Sequence, residues 1–287
     1  MKKFLNKKLA IVLALIMALS VSATGTAFAA DGDSYLALGA DLSADEKSTV
    51  LSLLGVADTN DYNVLYVTNS EEHRYLSKYV SSDQIGSKAL SSVLIRENGG
   101  NNINVTTHNI GYCTEDMYRN ALATAGLSGA DVTVAGPFEI SGTAALVGTI
   151  KAYEKMTGET VGDEVIEGSV DEITTTGELG EELGDTNAAE QIIAEVKNDL
   201  ADNPNMSDGE LEESIRDAAE NAGIELSDST IQKIKSMLQN LQGLDIDWDN
   251  LKQQSSSILE DLKQVVDPEK AKGFFNTIIE WFRSLFN

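Results

Sequence analysis

The stretch Asn63-Val-Leu-Tyr-Val-Thr68 is apolar on both faces of an extended chain, as a strand inside a sheet requires. A predicted helix follows it over residues 70–80, where the first turn carries acidic side chains. Two further predicted strands, residues 90–96 and 103–110, are separated by a cluster of glycine and asparagine that favours a hairpin. A helix and a strand then complete the pattern, over residues 114–126 and 131–135.

The resulting order β-α-β-β-α-β is that of a ferredoxin-like αβ sandwich. An additional helix is predicted on each side of it. The first begins with a capping box formed by Ser43 and Glu46 and ends at Gly55, and the second spans residues 141–156. The sequence therefore predicts an α+β domain over residues 30–157.

Residues 158–186 are strongly acidic. They contain ten Asp and Glu residues and no Lys or Arg, with repeated glycine and threonine between the acids. Such a composition is typical of a linker or a flexible loop. We therefore expect an acidic linker between the α+β domain and the rest of the chain.

Residues 187–287 show a helical period throughout, which predicts an all-α helical bundle. One of its helices begins with a capping box of Ser207 and Glu210. The last predicted helix begins with Asp267 and Pro268 and has a wide apolar face. That face either closes the bundle core or docks onto a partner groove or a lipid. The residues proposed for docking are Phe274, Phe275, Ile278, Trp281 and Phe282.

Residues 1–29 have the features of a secretory signal peptide. Four lysines precede an apolar run from Leu9 to Leu19, and Ala27-Phe28-Ala29 supplies a cleavage pattern, with Ala30 as the neighbouring choice. Loss of this segment removes four lysine charges and takes the formal net charge from −25 to −29. The sequence predicts a secreted or loosely envelope-associated protein with no transmembrane helix in the mature chain. Its charge excludes nucleic acid as an expected partner, because phosphate binding needs a basic footprint.

Three motifs carry a family resemblance. They are Leu38-Gly-Ala-Asp-Leu-Ser-Ala-Asp-Glu-Lys47, Asp131-Val-Thr-Val-Ala-Gly-Pro137 and Leu244-Asp-Ile-Asp247. Together they resemble the YpuA-like family of exported Gram-positive proteins, a domain of unknown function. The resemblance implies export, and it brings no catalytic residue, substrate or cofactor to this chain.

The single cysteine, Cys113, lies at the predicted start of a helix, where the partial positive charge favours a thiolate. With His108 nearby it is the candidate catalytic nucleophile. The alternative is a small buried cysteine and an ordinary surface histidine.

A glycine-containing turn, Ser141-Gly142-Thr143, precedes the last helix of the α+β domain, and its backbone N–H groups are candidates for binding an anion. The alternative is that Ser141 caps this helix and the small residues allow close packing on the sheet.

Asp245, Asp247 and Asp249 alternate along the chain, a spacing that suits calcium. The alternative role of Asp247 is a helix N-cap, and no other cofactor is indicated.

Two functions stay open at this stage. The first is a non-catalytic interaction protein of the cell envelope or extracellular space, which binds an unknown extracellular or envelope protein. The second is a secreted hydrolase that acts on peptide, peptidoglycan or glycan.

Overall fold

The computed structural model describes residues 34–80 and 82–264. These residues form a mixed α/β structure that is mostly helical. The strands are β1 (Ser34–Gly39), β2 (Asn63–Val67), β3 (Ser92–Glu97), β4 (Ile103–Ile110) and β5 (Ala130–Ile140). The helices of the first half are α1 (Ala44–Leu53), α2 (Asn69–Leu76), α3 (Ser82–Ile85), α4 (Glu115–Thr124) and α5 (Thr143–Thr157). Those of the second half are α6 (Asp163–Leu183), α7 (Thr186–Asp202), α8 (Asp208–Asn221), α9 (Asp228–Gln242) and α10 (Trp248–Gln264).

The strands form one sheet in the order β2-β1-β3-β5-β4. The two outer pairs, β1–β2 and β4–β5, are parallel, whereas β3 is antiparallel to both of its neighbours. The predicted hairpin between β3 and β4 is wrong, because β5 lies between them. The ferredoxin-like arrangement is likewise not confirmed, since β2 pairs with β1, a strand that the sequence analysis did not predict.

The two faces of the sheet are covered unequally. On one face, α1 packs against a small cluster that contains Leu36, Leu38 and Leu94. On the other face, Ala37, Val93 and other sheet residues join a cluster of buried side chains that continues into the helices of the second half. Because successive side chains of a strand point to opposite faces, each central strand contributes to both clusters.

Helix α6 replaces most of the predicted acidic linker, so that prediction is wrong. Ile166, Val170 and Ile173 recur at helical spacing and are buried. The helix also brings Gly177 against Tyr112, where an added Cβ would lie 2.0 Å from the phenol oxygen. The acidic composition of residues 158–186 led to the prediction of a linker, whereas the segment forms a largely buried helix between the sheet and the helices that follow. The domain bounds 30–157 and 187–287 stay a prediction.

The local signals for helix starts are confirmed at several positions. Ser43 and Ser207 each form a capping box with the glutamate three residues later, and Thr114 accepts a hydrogen bond from the Met117 amide. Helices α8 to α10 lie within the segment predicted to be a helical bundle, and α7 begins one residue before it, at Thr186. The all-α character of residues 187–287 is not confirmed as a whole, because the structure describes them only to residue 264.

Two predictions fall outside the described residues: the signal peptide and the last helix with its docking residues. Within the described ranges, no helix combines the length and the apolar character needed to cross a bilayer.

Candidate binding site

A cavity of about 610 Å³ opens between four parts of the described chain. They are the end of α4, Tyr153 of α5, residues 159–165 and residues 244–247. The side chains of Thr124, Ala125, Tyr153 and Ile246 are buried at its base. Concave sites with a largely apolar base and a few polar groups are typical of ligand binding.

The first wall of the cavity is the turn between α5 and α6. Gly158 ends α5 in the left-handed region, with φ of 76°, a conformation that glycine adopts without strain. The Val161 amide then donates a 2.8 Å hydrogen bond to Glu154 Oε1, which folds the turn back onto α5. Helix α6 begins directly afterwards at Asp163. The turn is therefore held at both ends.

The second wall, residues 244–247, connects α9 to α10. The Leu244 amide donates to the Leu241 carbonyl, and Ile246 is buried. Asp247 Oδ1 accepts a 3.0 Å hydrogen bond from the Asn250 amide, so Asp247 acts as the cap of α10. Its carboxylate is thus fixed at the mouth of the cavity.

Carboxylates dominate the mouth of the cavity. Among the lining residues that the structure describes there is no Lys, Arg or His. Asp163 is compensated from outside the cavity, because Arg74 forms an ion pair with it and the Tyr75 hydroxyl donates to it at 2.9 Å. The exposed carboxylates of the rim are Glu159, Asp163, Glu164, Asp245 and Asp247.

The negative charge of the rim also affects the pKa of the Tyr153 phenol. Burial raises the pKa of Tyr153, and the nearby carboxylates of Glu159 and Asp247 raise it further, whereas a hydrogen bond from Ser128 opposes them. Carboxylates from both walls therefore act on the same buried group. The cavity presents a negative rim above an apolar base, an arrangement that favours a cation carrying an apolar part.

The base rests on a buried ion pair. The Thr124 hydroxyl donates to Glu172 Oε2, and Lys197 Nζ lies 2.6 Å from Glu172 Oε1. Both charged side chains are 0% exposed, and Lys197 also donates to the Asn120 carbonyl at 2.7 Å. Burial lowers the pKa of Lys197, while Glu172 opposes the shift. This cluster joins α4, α6 and α7 beneath the cavity.

The predicted calcium ligands are divided by the structure. Asp245 and Asp247 line the cavity, whereas Asp249 does not. Within the described part of the chain, no three His, Cys, Asp or Glu side chains come together as a group able to hold a metal ion. The calcium prediction has no support from this geometry and stays a prediction.

The predicted nucleophile lies inside the core. Cys113 is 1% exposed, and burial raises the pKa of its thiol far above the ordinary value. Burial thus opposes the helix-terminus effect expected from the sequence, and it disfavours the thiolate. His108 lies on β4 beside Ala135 of β5 and is half-buried. The catalytic role of Cys113 and His108 stays a prediction, and the burial of the thiol does not favour it.

Two carbonyl groups of the predicted anion-binding turn make hydrogen bonds with neighbouring core residues. The Ser141 carbonyl accepts the Cys113 amide, and the Gly142 carbonyl accepts the Tyr118 hydroxyl. Gly142, with φ of 91°, is the N-cap of α5, so the prediction that Ser141 caps this helix is wrong. Thr143 is buried. Anion binding by residues 141–143 stays a prediction.

Sequence reasoning missed most of the cavity. It assigned Glu159 and Glu164 to a linker, and it did not connect either of them with Asp245. The available signal was the helical recurrence of Ile166, Val170 and Ile173, which fixes where α6 begins and hence where the acidic turn lies.

The fold and the cavity define a class: a mixed α/β protein with one mixed sheet and an acid-rimmed cavity between its helices. The chain belongs to the family described as protein of unknown function (DUF1002), whose model matches residues 38–258. It is 40% identical over 291 residues to the uncharacterized protein YpuA of Bacillus subtilis (strain 168), covering 100% of this chain and 98% of that protein. The YpuA-like resemblance is thereby confirmed. No solved structure matches the chain.

Proposed function

We propose that this protein is exported and acts as a non-catalytic binding protein of the cell envelope or extracellular space. Its binding site is the acid-rimmed cavity, and its ligand is a cationic group on an extracellular or envelope partner. The observation that carries this proposal is the cavity itself, with carboxylates from two separate walls and an apolar base. The hydrolase alternative has less support, because the thiol of its candidate nucleophile, Cys113, is buried.

The binding step follows from electrostatics. A cation that enters the cavity comes near carboxylates of both walls, and one pair of opposite charges about 4 Å apart contributes about 1 kcal/mol in water. An apolar portion of the ligand then covers the buried base. We expect affinity to fall as salt concentration rises, because the rim is exposed to solvent.

Calorimetric titration of residues 30–287 with a trilysine peptide tests this proposal. The double variant Glu164→Gln with Asp245→Asn removes two rim charges and leaves the pair of Asp163 with Arg74 in place. Two lost interactions of about 1 kcal/mol each weaken binding by roughly 30-fold. Equal weakening in a charge-matched control would refute the cavity as the site. That control is Glu213→Gln with Asp217→Asn, two exposed residues of α8.

Export rests on residues 1–29 and has its own test. When the full chain is produced in a Gram-positive host, the mature protein recovered from the medium or the envelope should begin at Ala30, or one residue later. Recovery of the uncleaved chain from the cytoplasm alone would contradict export. Retention at the envelope is assigned to the docking residues of the last predicted helix. A chain truncated before Phe274 should then move to the medium, and an unchanged distribution contradicts that assignment.

A further inference from the structure

Glu72 on α2 is a buried carboxyl group with only half of its hydrogen-bonding capacity used. The residue is 2% exposed. Its Oε2 atom accepts a 3.0 Å hydrogen bond from Asn69 Nδ2, whereas Oε1 has no partner among the described residues. Buried polar atoms nearly always have partners, so this orphaned oxygen requires an explanation.

Glu72 lies where three parts of the chain meet. They are α2, the turn after β1, and residues 86–91, which we call the pre-β3 segment. The Gly86 carbonyl accepts from Asn69 Nδ2 at 3.3 Å and meets His73 Nε2 at 3.1 Å. From the turn after β1, Asp41 Oδ2 accepts the Ala89 amide at 2.8 Å. The pre-β3 segment is thus held by side chains that surround Glu72.

The pre-β3 segment contains a second orphaned atom. The Ser91 hydroxyl is buried, at 4% exposure, and has no partner among the described residues. The pre-β3 segment, like α2, therefore contains a buried polar atom that is unsatisfied among the described residues. Each such atom costs free energy in the closed form.

The described cations around α2 are engaged with other groups. The carboxylate that acts on Glu72 is Asp41, which adds negative potential. His73, the neighbouring titratable group on α2, is directed to Gly86 and Ser77. Three ion pairs involve the remaining charged neighbours: Lys151 of α5 pairs with Glu71, Arg74 with Asp163 of α6, and Lys78 with Glu167 of α6. Lys88 of the pre-β3 segment is exposed, and its charge lowers the pKa of Glu46.

We propose that Glu72 is a proton-operated latch: its neutral acid form holds the pre-β3 segment against α2, and loss of the proton releases the segment. An ionised Glu72 in the closed form is a buried charge that is acted on by Asp41 and has no cation beside it in the described part of the chain. Opening of the segment hydrates that charge and relieves the cost.

The raised pKa of Glu72 determines how the stability of the closed form changes with pH. Burial raises the pKa of Glu72 from 4.5 to about 7, Asp41 raises it further, and the hydrogen bond from Asn69 opposes both. Below pH 4.5 both forms are protonated and the closed form has its full stability. Between pH 4.5 and about 7 the open form loses its proton first, so the closed form becomes progressively less stable. Above that range the latch stays weakened.

Hydrogen exchange at the Ala89 amide, measured by NMR on residues 30–287 from pH 5 to pH 8.5, tests the latch. After correction for intrinsic exchange, protection in the wild type should fall by roughly 75-fold between pH 5 and pH 8.5, because about a factor of four of the full change of roughly 300-fold that corresponds to the pKa shift is already lost at pH 5. Glu72→Gln keeps the shape and the acceptor but cannot ionise, so its protection should stay constant. Every other titratable group, His73 included, is common to both proteins and cancels in the comparison.

Two further variants complete the test. Glu220→Gln removes an exposed carboxylate of α8 and should behave as the wild type. Asp41→Asn keeps an acceptor for the Ala89 amide and should move the midpoint of the pH response to lower pH. The latch is overturned if Glu72→Gln shows the same pH response as the wild type, if it loses protection at every pH, or if the Asp41→Asn midpoint is unchanged. A calcium-dependent gain in protection at pH 8 that requires Glu72 would also overturn it, in favour of a bound cation.

Discussion

The buried pair of Lys197 and Glu172 permits a sharp prediction about stability. Lys197→Met removes the cation and leaves the Glu172 carboxylate at 0% exposure, where the Thr124 hydroxyl is its remaining hydrogen-bond donor among the described residues. Breaking a fully buried pair by removing one partner costs about 3–5 kcal/mol, a large part of the roughly 5–15 kcal/mol that stabilises a typical domain. Glu172→Leu should cost a similar amount, because the ammonium is then left buried beside the Asn120 carbonyl.

The double variant should be much less damaged than the sum of the single ones. With both charges gone, no buried ion remains uncompensated, and Met and Leu fill similar volumes. We therefore expect a coupling free energy of about 3 kcal/mol from urea unfolding of the four proteins. The exposed pair of Lys233 with Glu178, at 50% and 44% exposure, is the control and should couple by less than about 1 kcal/mol. Coupling below about 0.5 kcal/mol in the buried pair would refute the reasoning.

Three further predictions concern packing, reactivity and pH. Gly177→Ala places a Cβ 2.0 Å from the Tyr112 hydroxyl oxygen and should cost at least about 1–3 kcal/mol in urea unfolding, whereas Gly209→Ala, with nothing within 4 Å, should be neutral or stabilising. Cys113 should react with Ellman's reagent only on the time scale of unfolding, and rapid labelling of the native protein contradicts its burial. Glu190 of α7 is buried, and burial raises its pKa to about 8, so wild-type stability should fall relative to Glu190→Gln as pH rises from 4.5 to 8. Parallel pH profiles contradict this expectation.

Local signals predicted local structure well. A capping box needs only residues three apart, which is why Ser43 and Ser207 marked the true starts of α1 and α8. The strand predicted from residue 63 was confirmed, but its predicted position inside the sheet was wrong, because β2 is an edge strand and only Val67 of it is buried. For α2 the start differed slightly, because Thr68 is the N-cap and its hydroxyl accepts the Glu71 amide.

Pairing between distant segments was not predictable in the same way. The glycine and asparagine cluster after β3 resembles a hairpin turn, yet β3 pairs with β5, where Ile95 lies opposite Val132. Strand order depends on which faces of the sheet are covered by helices, and a single sequence contains no direct record of that choice. Helix α6 was missed for a related reason: its acids dominated the composition, although Ile166 and Val170 carried the helical period.

The candidate site shows the same division. Asp245 and Asp247 attracted attention because they alternate within a few residues of each other. Glu159 and Glu164 lie some eighty residues earlier, and only the folded chain brings them to the same cavity. Tyr153, whose burial makes it sensitive to both walls, had no sequence feature that distinguished it from an ordinary core aromatic residue.

The Thr124 side chain connects the cavity with the buried pair of Lys197 and Glu172. It lines the cavity, and its hydroxyl also ends the hydrogen-bonded chain that runs through Glu172 to Lys197. A ligand that contacts Thr124 at the base of the cavity would therefore act on an ion pair that is fully buried. Binding of a ligand in the cavity would then change how firmly α4, α6 and α7 are held together, so that binding at the surface is coupled to the stability of the core.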